Sequence, residues 1–77
     1  MKITIDYCTV WNYEPRATSL AAKIKTAFDV TVELIPGGRG VFDVKVDGFL
    51  IYSKSMTGTF PQEDDLVEEL RSKYFNK

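Results

Sequence analysis

The sequence of 77 residues has no histidine and one cysteine. Without histidine, no serine or cysteine has the imidazole partner of a catalytic triad. A zinc or copper site would have to gather carboxylates around one sulfur, so no metal is expected. A single cysteine cannot close an intrachain disulfide. Cys8 is therefore a buried bystander, a metal ligand or a thiol that reacts with another molecule. A large excess of charge of one sign is also missing: the formal net charge is -1, with no long run of Lys or Arg. Nucleic-acid binding, which rests on a clustered basic footprint, is disfavoured. No apolar run approaches the roughly 20 residues of a bilayer span, so no membrane partner is expected. Met1-Lys2-Ile3 opens a strand rather than a signal peptide, and the expected location is the cytosol.

The sequence does contain clear periodicities, spread over one domain, residues 1–77. Lys2 to Tyr7 alternates, with Ile3, Ile5 and Tyr7 on one face, as a half-buried strand does. Pro15 suits the first helical position, where its missing N–H costs nothing. Ala17, Leu20, Ala21, Ile24, Ala27 and Phe28 then recur at helical spacing, predicting a helix from Pro15 to Phe28. Strands are expected over Val30–Ile35, ended by Pro36-Gly37-Gly38-Arg39-Gly40, then over Val41–Val46 and Phe49–Lys54. Asp47-Gly48 between the last two is a type I′ hairpin signal. After a Ser/Met/Thr/Gly loop, a last helix runs from Pro61 to Phe75, with Glu63, Asp64 and Asp65 at its dipole-favoured start. Leu66, Val67, Leu70 and Tyr74 form its apolar stripe. The order β-α-β-β-β-α predicts a small α/β layered domain with a mixed four-stranded sheet and two helices, the element order of a minimal thioredoxin-like fold.

Cys8 falls at the carboxyl end of the first strand, just before a helix, where chemistry in open α/β sheets gathers. A helix N-terminus lowers a thiol pKa; Asp6 and Glu14 would raise it and Arg16 would oppose them. The plainer reading is a small buried hydrophobe. Trp11, Asn12, Tyr13 and Phe42 are the candidate contact residues around the thiol, with Trp11 as a stacking platform. The alternative for the aromatics is simple packing, favoured for Tyr7. Pro36-Gly37-Gly38-Arg39-Gly40 lacks the phosphate-loop pattern and is expected to be a tight turn whose backbone could line the cysteine site. Asp43, Asp47 and the Glu63-Asp64-Asp65 cluster are expected to be solvated faces, a turn and capping.

Tyr7-Cys8-x-x-Trp11-x-Tyr13-x-Pro15-Arg16-Ala17 resembles the opening signature of the selenoprotein W-related, or Rdx, family within the SelT/SelW/SelH group. The likeness continues through Leu34-Ile35-Pro36-Gly37, the block Gly40 to Gly48, Ile51, Ser53-Lys54 and Gly58-x-Phe60-Pro61. The resemblance implies a thioredoxin-like fold and a thiol-based redox protein without a bound cofactor, with glutathione or a protein thiol as its partner. It gives Cys8 the place of the attacking cysteine and Trp11 that of the second cysteine or selenocysteine, so the family's CxxC or CxxU motif is degenerate here. Gly40 precedes Val41 where thioredoxins proper carry a cis-proline. Two functions follow as expectations. One is monothiol exchange through Cys8, resolved by glutathione or a partner thiol. The other is a non-catalytic binding or regulatory module that uses Trp11 and its aromatic neighbours as a contact surface. The codon for residue 11 distinguishes a genuine tryptophan from a reassigned selenocysteine.

Overall fold

A computed structural model describes residues 1–75. The alternating run becomes β1 (Ile3–Cys8), and the helical spacing becomes α1 (Glu14–Phe28), with Pro15 in its first turn. A left-handed Asp29, φ 55°, closes α1 by donating its N–H to the Lys25 carbonyl. The remaining strands are β2 (Val32–Gly37), β3 (Phe42–Val46) and β4 (Phe49–Ser53). A short α2 (Lys54–Thr57) follows, and then α3 (Glu63–Leu70), whose end widens into a π-helical turn over Arg71–Phe75.

The sheet order is β2-β1-β3-β4. β1 pairs with β2 in parallel and with β3 antiparallel, and β3 and β4 form an antiparallel hairpin. This is the mixed four-stranded α/β sheet expected from the element order. Ile3, Ile5, Tyr7, Phe42, Val44 and Val46 point to one face, where Ala17, Leu20 and Ile24 of α1 and Leu66, Val67 and Leu70 of α3 cover them. The two helices are tied by Lys23 Nζ donating to Asp64 Oδ1 at 2.7 Å and by Ser19 Oγ donating to Glu63 Oε1 at 3.2 Å. The other face carries Thr4, Asp6, Asp43 and Lys45, all half-buried.

Three expectations need correction. β2 runs two residues later than its alternation suggests, because Pro36 and Gly37 continue the pairing opposite Tyr7 and Cys8 rather than ending it. β2 is an edge strand, where a proline's missing N–H can face away from the ladder. Gly37 also lies where an added Cβ would come within 2.7 Å of Val41 Cγ1, so only glycine lets that chain pass closely. The Ser/Met/Thr/Gly loop contains α2, a third and very short helix. The last helix begins at Glu63 rather than Pro61, because Gln62 is its cap and its side-chain oxygen accepts from Asp65 N–H at 3.0 Å. Among the described residues no helix is long and apolar enough to cross a membrane.

Candidate functional site

A strand that must turn into a helix leaves backbone amides without strand partners, and here they converge on the one sulfur. Cys8 ends β1, and its own N–H donates to the Val41 carbonyl at 2.9 Å. The chain then folds over the side chain. Tyr13 N–H returns to the Cys8 carbonyl at 2.9 Å, and Asn12 N–H donates to the Thr9 carbonyl at 3.1 Å. Asn12 closes this turn in the left-handed region, φ 58°, which asparagine tolerates better than most residues. Inside the turn, Trp11 N–H donates to Cys8 Sγ at 3.2 Å.

The sulfur has no exposed surface, yet it stands apart from the core cluster between sheet and helices. Burial is the largest single influence on the thiol and pushes its pKa up. The amides of Gly40, Trp11 and Val10 and the positive charge of Arg39 together outweigh it, so the pKa lies below its ordinary value. The cation is Arg39, not the Arg16 expected from sequence proximity. Nor do Asp6 and Glu14 oppose it. Asp6 pairs with Lys45 at 3.4 Å, and neither carboxylate figures among the influences on the sulfur. The Gly38–Val41 turn that follows β2 lines the site, because the parallel pairing sets Gly37 beside Cys8.

Trp11 closes this arrangement. Its indole lies against Gly40, where an added Cβ would meet Cζ3 at 2.8 Å. Gly40 also has φ +72°, so two independent requirements keep a side chain out of this position. Trp11 is still 56% exposed, and Val10 beside it 67%. An aromatic row starts here: Trp11 meets Tyr13 edge-on at 6.1 Å between ring centroids, and Tyr13 meets Phe60 at 4.7 Å. Arg16 stacks over Phe60 at 4.5 Å, and Lys54 lies 5.3 Å from the same ring and 5.6 Å from Tyr13.

The structure therefore gathers Cys8, Trp11, Asn12 and Tyr13 at one end of the sheet. It removes Phe42 from the contact residues, because Phe42 is 1% exposed and belongs to the core, supporting Tyr13 and Phe60 from beneath. Sequence reading missed Arg39 and Phe60 as members of the site. Their proximity depends on the parallel β1–β2 pairing and on the chain returning after β4. A groove of about 480 Å³ lies elsewhere, between α1 and α3, lined by Ala22, Thr26, Ala27 and Val67 among others. Asp43 is also less solvated than expected: its Oδ1, like that of its cross-strand neighbour Asp6, is buried without a hydrogen-bond partner among the described residues.

Comparison with known proteins agrees with this architecture. The chain is 33% identical over 72 residues to migration and invasion enhancer 1 of Bos taurus, covering 92% of this chain and 63% of that protein. Against the Mus musculus protein of the same name it is 34% identical over 70 residues, covering 90% and 61%. The chain thus spans a little over three-fifths of the length of these relatives. A solved structure from Bordetella parapertussis superposes with a TM-score of 0.87 at 31% identity, covering 92% of this chain and 94% of that one. A selenoprotein W-related protein from Vibrio cholerae superposes with a TM-score of 0.86 at 27% identity, covering 92% of each chain. The Rdx family model matches residues 2–72. With the thiol at the end of its first strand and this sheet around it, the chain belongs to the Rdx family.

Proposed function

We propose that the protein is a monothiol redox protein that exchanges disulfides through Cys8. The observation that carries this reading is the Trp11 N–H donated to Cys8 Sγ at 3.2 Å, at a sulfur with no internal partner whose pKa the amides of Gly40, Trp11 and Val10 and the charge of Arg39 lower. Thiolate is the nucleophile in exchange, and these groups favour it. The Cys8 thiolate attacks one sulfur of a partner's disulfide. That S–S bond breaks, a Cys8–partner disulfide forms, and the second partner sulfur leaves as a thiolate that takes a proton from water. A glutathione or protein thiolate then attacks the partner's sulfur in the mixed disulfide. Cys8 leaves as thiolate, and the partner stays joined to the incoming thiol. Each step opens one disulfide and forms one, so no further oxidant or reductant is needed. Because the sulfur is covered, the Thr9–Asn12 turn must lift Trp11 from Gly40 before attack.

The test is the rate of Cys8 alkylation across pH, with mass analysis after exposure to oxidised glutathione. An apparent pKa below the free-thiol value of about 8.5 and a glutathione adduct on Cys8 are expected. A pKa at or above that value with no adduct would exclude the exchange reading. One observation favours a second reading, a binding or regulatory module: the exposed Trp11, with the exposed Val10 beside it, occupies the place where the family pattern puts its second reactive atom. If Trp11→Ala retains every partner that wild type captures, that second reading fails.

A further inference from the structure

The ends of the strands sort the cations of this molecule. Strands β1, β2 and β4 finish, and β3 starts, at the same end of the sheet. Arg39 follows β2, Arg16 lies in the first turn of α1 after β1, and Lys54 follows β4. Among the described residues, ion pairs occupy Lys2, Lys23, Lys45, Arg71 and Lys73. Among the described residues Arg16, Arg39 and Lys54 have no carboxylate partner, and Lys25 is the other described cation so placed. Arg16 instead stacks on Phe60 and Lys54 on Phe60 and Tyr13, and the charge of Arg39 acts on the sulfur. Glu14 is the carboxylate nearest in sequence to this group, exposed in the first turn of α1, where the helix dipole holds it favourably.

At the same end lie the exposed Trp11 and Val10, on the turn whose Trp11 N–H donates to Cys8 Sγ. Aromatic and arginine side chains around an apolar centre are the composition of protein-binding surfaces. At ~4.8 Å per strand, the four strand ends span roughly 14 Å, about four residues of extended chain. Arg39, on the connection from β2 to β3, acts on the thiol itself, and Arg16 and Lys54 sit at the Phe60 end of the aromatic row that starts at Trp11. Resting on the exchange reading of Cys8, we propose that this end of the molecule docks an extended segment of a partner protein whose cysteine has acidic residues beside it. The charge complementarity selects the segment, and Trp11 is its apolar anchor.

The test separates docking from chemistry. Cys8→Ser protein is titrated, by Trp11 fluorescence, with two peptides of equal length that carry serine in place of the central cysteine. One has Asp and Glu on both sides of the serine, and the other has Lys. The acidic peptide is expected to bind about tenfold more tightly, the size of two or three exposed ion pairs, and to weaken as salt rises. The double substitution Arg16→Glu with Lys54→Glu, checked by circular dichroism for an unchanged fold, should abolish or reverse the preference. Equal binding of the two peptides, no binding of either, or no effect of the charge reversal would overturn the proposal. So would glutathione binding as tightly as the acidic peptide, which would make this a small-anion site. A second arm offers wild type the matching cysteine peptides as disulfides. Selective binding without mixed-disulfide formation would remove the exchange reading and leave the docking surface. Equal exchange with both peptides would do the reverse.

Discussion

Sulfur is a poor hydrogen-bond acceptor when neutral and a good one as thiolate, so amides aimed at it act mainly on the charged form. At Cys8 this argument fixes a pH dependence. The folded pKa is depressed despite burial, through the amides of Gly40, Trp11 and Val10 and the charge of Arg39. Between that value and the unfolded thiol value of about 8.5, the unfolded chain holds a proton that the native protein has released. Stability therefore rises with pH through this window. The contribution is fully present above the unfolded pKa and is lost as pH falls through the folded one. Denaturant titrations of wild type and Cys8→Ser at a series of pH values should give a difference that grows across the window and levels off above it. A difference independent of pH would mean that the amides do not hold a thiolate. At this scale the cysteine's place was legible, because a strand end before a proline-started helix is a local signal. Arg39 was not legible, because it comes from a separate turn 31 positions along the chain.

Elements here were legible where the signal was periodic or depended on a single special residue. Ile3, Ile5 and Tyr7 alternate and are buried; Ala17, Leu20 and Ile24 recur helically and are buried. Pro36-Gly37 was misread because the tendency of proline and glycine to break strands gave way to pairing at a sheet edge. The hairpin tests the single-residue case. Asp47 and Gly48 have φ of 52° and 85°, both positive, as the type I′ turn requires. Asp47 is further tied to the start of the chain. Its Oδ1 accepts from Lys2 N–H and its own N–H donates to the Lys2 carbonyl, both at 2.7 Å. Nothing lies within 4 Å of a Cβ built on Gly48, so a substitution there changes backbone conformation and no contact. Gly48→Ala should then cost about 1 kcal/mol, the left-handed penalty of an L-residue. In urea the midpoint should fall while the slope of the transition stays unchanged. A neutral Gly48→Ala would show that the turn relaxes to another type.

Over the whole molecule, a 77-residue chain has little stability to lose, about 4–12 kcal/mol at the usual range per residue. Its core and its thiol end share one side chain. Phe42 is buried among the sheet residues and also touches both Tyr13, at 6.5 Å between ring centroids, and Phe60, at 5.2 Å. Tyr13 in turn meets Trp11. The thiol turn is therefore an extension of the core through aromatic contacts, although Cys8 itself lies outside the core cluster. Phe42→Ala should cost about 3–5 kcal/mol, a large share of the total, whereas Phe42→Leu keeps most of the volume and should cost much less. The same connection predicts how wild type unfolds. Trp11 fluorescence reports on the thiol turn, and far-ultraviolet circular dichroism reports on the sheet and helices. If Phe42, Tyr13 and Trp11 couple the two, both signals follow one two-state transition with the same midpoint. In Phe42→Leu the shared transition should shift as a unit. A Trp11 change that precedes loss of the sheet would mean that the turn opens on its own, with the core no longer controlling access to the sulfur.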